Sequence, residues 1–167
     1  LTTVTIPNSV TSLGVGALAS CMDLTDVTLS SGLTEIADET FQYCEKLANI
    51  NVPDGVIRIG DNAFEGCTSL TDITLPNSLT TIGEEAFMDC SGLSAIKIPD
   101  SVTIIAEGAF TECSNLTSVK LSKQLKVIRS NTFRNCSSLT SIEIPDGVTE
   151  LKRDAFYGCS SMTTVTI

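Results

Sequence analysis

Seven cysteines, Cys21, Cys44, Cys67, Cys90, Cys113, Cys136 and Cys159, follow one another at an unbroken interval of 23 residues. Thiols can bind zinc, form disulfides or act as nucleophiles, and each role has its own spacing. A zinc site needs close pairs such as C-x-x-C, and none occurs. An odd number of thiols cannot close into disulfides. Equivalent side chains on stacked copies also point the same way, against disulfide geometry. A nucleophilic cysteine needs an activating base, and the chain has no histidine. The column therefore reads as buried thiols packing as small hydrophobes.

The missing histidine also removes Ser-His pairs, imidazole acid–base catalysis and imidazole metal ligands. No glycine-rich phosphate loop is present. Acidic residues are plentiful, but most recur at turns or at the start of one segment of a repeating unit, which are solvated edges. The chain is expected to be no enzyme and to use no cofactor or metal. A net charge of −10 argues against nucleic acid and anionic membranes as partners. No apolar run is long enough to insert into a bilayer. The charge is uneven: Lys120, Lys123, Lys126, Arg129, Arg134, Lys152 and Arg153 are seven of the ten basic residues, and no acid lies between Glu112 and Glu143. Such a basic band suits solubility and pairing with acidic neighbours, or contact with an anionic partner.

The interval that places the thiols also places everything else. Copies begin at Leu1, Leu24, Leu47, Leu70, Leu93, Leu116 and Leu139, and a stub runs from Met162 to Ile167. They share L-T-x-[VI]-x-[ILV]-[PS]-x-x-[VL]-x-x-[IL]-x-x-x-[AT]-F-x-x-C-x-x. Fixed repetition at this length is a solenoid, in which each copy buries its apolar set only against its neighbours. The chain is thus one domain, 1–167, ending in a strand at 162–167. Residues such as Leu139–Ile144 alternate apolar and polar and are β-branched, which predicts a short strand. Proline at the seventh position stops that strand, and Asp-Gly or Asn-Ser turns follow. A short extended segment comes next. In Gly83–Cys90, early acids and the spacing of Ala86, Phe87 and Cys90 predict a short helix. The class is α/β, with a parallel sheet on one face and short helices on the other. No polar caps are visible, so the chain is expected to be a piece of a longer array.

The unit resembles the 23-residue leucine-rich repeat of BspA-like (treponemal-type) surface proteins. Residues 70–92 meet that pattern nearly whole, from Leu70-Thr-Asp-Ile-Thr-Leu-Pro through Ala86-Phe87 to Cys90, and 93–115 meet it again. Ser30 and Ser122 replace the proline, Thr40 and Thr132 the alanine, and Leu18 the phenylalanine. The resemblance implies a curved right-handed solenoid and a location at the cell surface or outside the cell. It further implies adhesion to host proteins, extracellular matrix or other cells. It carries no catalytic residues.

A ligand is expected on the outward strand positions, the third and fifth of each copy, where the copies stop agreeing. Asp26, Asn49 and Asp72 form an acidic stripe, with Thr28, Asn51 and Thr74 beside it, suited to a cation, to a polar ligand or, as the better reading, simply to solvent. Lys97 stands opposite Lys120, an uncompensated repulsion of the kind a binding site carries. Glu143 is expected to relieve Lys120 but not Lys97. Eight strands of about 20 Å, spaced about 4.8 Å, give a face on the order of 700 Å². The leading reading is protein recognition through this face, and the alternative is a structural spacer. Outward T-x-T pairs occur only at the two ends, so an ice-binding threonine array is rejected.

Overall fold

The structure is a computed structural model describing residues 1–167. Its strands are numbered β1 to β14 along the chain. Each copy opens with a three-residue strand: β1 (Thr3–Thr5), β2 (Asp26–Thr28), β4 (Asn49–Asn51), β6 (Asp72–Thr74), β8 (Ala95–Lys97), β10 (Ser118–Lys120), β12 (Ser141–Glu143) and β14 (Thr164–Thr166). Six copies add a two-residue strand: β3 (Glu35–Ile36), β5 (Arg58–Ile59), β7 (Thr81–Ile82), β9 (Ile104–Ile105), β11 (Val127–Ile128) and β13 (Glu150–Leu151). All pairings are parallel, and each residue faces its counterpart one copy away, as Ile50 faces Ile73.

Burial follows the pattern that alternation dictates. Ile50, Ile73, Ile96, Val119 and Ile142 point inward from strand centres, while both flanking residues of each strand are exposed. The leucines that open the inner copies, Leu24, Leu47, Leu70, Leu93, Leu116 and Leu139, are fully buried. Behind them runs one stack of rings, Phe41, Phe64, Phe87, Phe110, Phe133 and Phe156. Successive centroids are 5.2–5.6 Å apart and the planes within 13° of parallel. A coil rising by one strand spacing brings each ring onto the next in an offset stack.

The cysteines pack beside the rings and all are free, as their spacing predicts. Each thiol from the second copy onward donates to the carbonyl at the eighteenth position of the preceding copy. Cys44 reaches Leu18 O at 3.2 Å, Cys67 reaches Phe41 O at 3.2 Å, and Cys113 reaches Phe87 O at 3.1 Å. Burial pushes the thiol of Cys44 up to about 11 and that of Cys113 up to about 12.

The expected short helices do not form. In each copy the sixteenth and twentieth residues take positive φ, as Glu39 (58°) and Tyr43 (59°) do in the second copy. A left-handed residue ends a right-handed helix. The segment instead makes tight turns, with Ala19 N bonded to Gly16 O and Cys21 N to Leu18 O. Alternate amides then point along the solenoid rather than along the segment. Glu39, Phe41 and Tyr43 donate to the carbonyls of Asp61, Ala63 and Glu65 in the next copy. The acids early in this segment stand at turn positions and have no helix dipole to complement. Only 11 of the 89 backbone hydrogen bonds lie within strands, so turns and stacking hold most of the backbone.

The strand face is not one continuous sheet either. Hydrogen-bonded pairs are β1–β2, β4–β6, β8–β10 and β12–β14, with the ladder interrupted between pairs. The second ladder runs unbroken through β3, β5, β7 and β9, then resumes as β11–β13.

Candidate functional site

Every proposed binding residue lies on one face. Asp26, Asn49, Asn51, Asp72, Thr74, Lys97, Lys120 and Glu143 are all exposed, at the ends of three-residue strands whose central residues point inward. Register brings some together. Asn49 faces Asp72, Asn51 faces Thr74, and Lys97 faces Lys120. Between Asp26 and Asn49 no ladder hydrogen bonds join β2 to β4, although the two strands lie side by side. Asp26 instead accepts a hydrogen bond from the Thr25 hydroxyl at 2.8 Å.

Glu143 forms no ion pair with Lys120. Its strand β12 pairs with β14, where Glu143 faces Thr166, and no ladder joins β10 to β12. Lys97 and Lys120 both lack an ion pair, as do Lys123, Lys126 and Arg129. Pairing of the basic band with neighbouring acids is confined to Arg134, Lys152 and Arg153, which meet Asp154 or Glu150. The face is also smaller than expected. Three residues at about 3.3 Å each make a strand of about 10 Å, so the eight strands cover on the order of 340 Å². That is about half of the earlier expectation and well below the roughly 800 Å² one partner gives to a standard interface. A protein bound here must also touch the flanking turns.

Two clefts open at the edge of this face. One, of about 460 Å³, lies between the sixth and seventh copies, with Lys120, Lys123 and Leu121 on one side and Glu143, Asp146 and Pro145 on the other. The second, of about 390 Å³, occupies the same place between the second and third copies, where Thr28 and Ser31 face Asn51 and Asp54.

The sequence reading passed over two polar nodes on the turn side. Arg58 is held by Asp38 at 2.6 Å and Glu35 at 3.5 Å, with Asp61 at 3.8 Å. Desolvation pushes the Asp38 carboxyl up, but the Asp61 amide and Arg58 outweigh it, so the group lies below the usual carboxylate range. Glu65 accepts from Gln42 Nε2 (2.7 Å), the Tyr43 hydroxyl (2.8 Å) and Asn62 Nδ2 (2.9 Å). Beside it, partial burial and the charges of Glu112 and Glu65 raise the carboxyl of Asp89. Arg58 could have been found as the one basic residue between Lys46 and Lys97. The Glu65 donors come from two different copies and carry no motif. No group of three or more Cys, Asp or Glu side chains is arranged to hold a metal ion, and no helix is long and apolar enough to cross a membrane.

Comparison with known proteins matches this architecture. The family profile described as BspA type Leucine rich repeat region matches in six copies over residues 1–91 and 34–163. A leucine-rich repeat protein from Bacteroides ovatus superposes with a TM-score of 0.95 at 32% identity, over 99% of this chain and 45% of that one. A leucine-rich repeat protein of T. pallidum gives 0.93 at 32% identity, over 96% of this chain and 78% of that one. A leucine-rich cell surface protein from Faecalibacterium prausnitzii gives 0.58 at 28% identity, over 99% and 59% respectively. The chain thus spans less than half the length of the B. ovatus protein. No curated protein sequence matches it.

Proposed function

This chain belongs to the BspA-type leucine-rich-repeat family, and from that premise we propose that it is a surface-exposed, non-enzymatic recognition module. The strand face and the turns beside it contact a protein or cell-surface ligand, in adhesion to host proteins, extracellular matrix or other cells. One observation carries the reading. The inward positions keep one apolar chemistry throughout, while the outward ones change from Asp26 and Asp72 to Lys97 and Lys120 and then to Glu143. A face that only had to stay hydrated would have no need of the Lys97–Lys120 juxtaposition. The cell-surface name of the F. prausnitzii neighbour supports the location.

The test is binding of the purified chain to a panel of extracellular-matrix proteins. Lys97→Glu/Lys120→Glu and Asp26→Ala/Asp72→Ala are compared with the parent. Loss of binding in one pair at unchanged stability supports the reading. Binding that survives both pairs refutes it.

A spacer function is favoured by a different observation. The unbroken stack from Phe41 to Phe156 makes the array a continuous column, suited to holding other domains away from a surface.

A further inference from the structure

The two clefts have one construction. They lie beside the two copies in which serine replaces the strand-ending proline, Ser30 and Ser122. Each serine is fully buried, and its hydroxyl donates at 2.6 Å to a carbonyl of the preceding copy, Val10 O or Val102 O. The amide of the following residue also points back. Ser31 N donates to Asn8 Oδ1 at 3.0 Å, and Lys123 N to Asp100 Oδ1 at 3.1 Å. Proline has no hydroxyl to make this bond from the seventh position, so in the Pro76 turn it comes from Ser78 instead. The turn is therefore drawn toward the preceding copy, and on its other side the ladder is interrupted, between β2 and β4 and between β10 and β12. The space left there is the cleft. The third interruption, between β6 and β8, follows a copy that keeps its proline, Pro76, and there Ser78 Oγ makes the equivalent bond, to Val56 O at 2.7 Å.

The clefts share a shape but not a charge. In the second-to-third-copy cleft the hydrophilic lining is Thr28, Ser31 and Asn51 with the single charge of Asp54. In the sixth-to-seventh-copy cleft, two ammonium groups, Lys120 and Lys123, stand on one wall. Two carboxylates, Glu143 and Asp146, stand on the other, with Leu121 and Pro145 as the apolar lining of the two walls. None of these four charges is engaged in an ion pair. Lysine and carboxylate walls held apart across an opening leave each free to take a ligand group.

We propose that this cleft binds a small zwitterion of the α-amino-acid class with an apolar side chain. Its carboxylate meets Lys120 and Lys123, its ammonium meets Glu143 and Asp146, and its side chain covers Leu121 and Pro145. The volume of about 460 Å³ is within the range of small-molecule sites. Charge-assisted hydrogen bonds at both ends supply orientation. Lys120 and Glu143 also belong to the strand face discussed above, but the zwitterion site needs no macromolecular partner. Its failure would leave that face untouched, and failure of the protein-binding test would leave the zwitterion site standing.

Amide chemical shifts of the whole chain, titrated with L-leucine, test the proposal. Saturable shifts are expected at 119–123 and 143–147, and none at the homologous cleft of Ser31 and Asp54, which lacks the lysines. N-acetyl-L-leucine and L-leucinamide, each missing one charge, should bind at least about tenfold more weakly, as should Lys120→Gln/Lys123→Gln and Glu143→Gln/Asp146→Asn. All four side chains are at the surface, so the variants are expected to fold, and their unperturbed shifts elsewhere verify it. Absence of saturable shifts would overturn the proposal. So would equal binding of either single-charge analogue, or equal response of the second cleft.

Discussion

Lys97 and Lys120 occupy register-paired positions on β8 and β10, and neither has a carboxylate within ion-pairing range. Like charges directly opposite one another on a sheet destabilise it. Glu143, on the neighbouring strand β12, forms no ion pair with Lys120. The repulsion is therefore carried without local compensation. Lys97→Glu should convert it into a cross-strand attraction and stabilise the chain by a few tenths of a kcal/mol at low salt. Urea denaturation at low and at high ionic strength checks this. The gain should fade as salt screens the pair, and a variant no more stable than the parent at low salt would show that the lysines do not interact.

The thiol column predicts an alkaline limit to stability. Burial raises Cys44 to about 11 and Cys113 to about 12, against an ordinary value of 9.0. The folded chain keeps these protons while the unfolded chain loses them. The stabilisation is thus complete below pH 9 and is lost progressively as pH rises to about 11 and 12. Denaturation midpoints measured from pH 8 upward should fall across that window, and Cys113→Ala should flatten the fall. At pH 8, a thiol reagent should label the buried Cys44, Cys67, Cys90, Cys113 and Cys136 only on unfolding, and the half-buried Cys21 and Cys159 sooner.

The strand half of each copy was legible in the sequence, and the turn half was not. Alternation around Ile50 or Ile96 fixes which residues point inward, because a strand offers only two faces. The segment from Gly83 to Cys90 carries apolar residues at helical spacing, and the same spacing suits a series of tight turns. The deciding signal was the residue at positive φ. Gly16, Gly66, Gly108 and Gly158, together with Asn62, Asn131 and Asn135, mark those sites, but Glu39, Tyr43, Glu85 and Glu112 hide them. Gly66 shows why the smallest residue sits there in one copy, since a Cβ would lie 2.4 Å from the ring of Tyr43. The candidate face was placed by strand alternation alone. The clefts were not foreseen, because Ser30 and Ser122 read as mere exceptions to a proline column.

The left-handed positions offer a direct gain in stability. Glu112 sits at φ 62° with its side chain exposed, and a non-glycine residue in this region costs about 1–2 kcal/mol. It also adds to the forces that raise the Asp89 carboxyl, after desolvation. Glu112→Gly should remove both effects and stabilise by about 1 kcal/mol once the greater flexibility of the unfolded chain is counted. Thermal unfolding beside Glu112→Ala, which removes the charge but keeps the strain, separates the contributions. Equal midpoints for the two variants would mean that charge alone matters.

Phe87 occupies the middle of the ring stack, 5.2 Å from Phe64 and 5.3 Å from Phe110. Its removal opens a cavity and severs contacts to both neighbours, so Phe87→Ala should cost about 3–5 kcal/mol. Phe87→Leu, the residue that Leu18 supplies at the same position of the first copy, should cost less. Phe156, half-buried at the end of the stack with one ring partner, should lose less than Phe87 when truncated. In a solenoid, stability is a sum of copies and nearest-neighbour interfaces, so a defect in the middle also uncouples the two halves. Tyr43 and Tyr157 lie in the second and seventh copies of a chain without tryptophan, so single-tyrosine variants report each end separately. In the parent the two signals should unfold together. In Phe87→Ala they should part into two urea transitions, and coincident transitions there would mean that the backbone ladders, not the rings, carry cooperativity along the array.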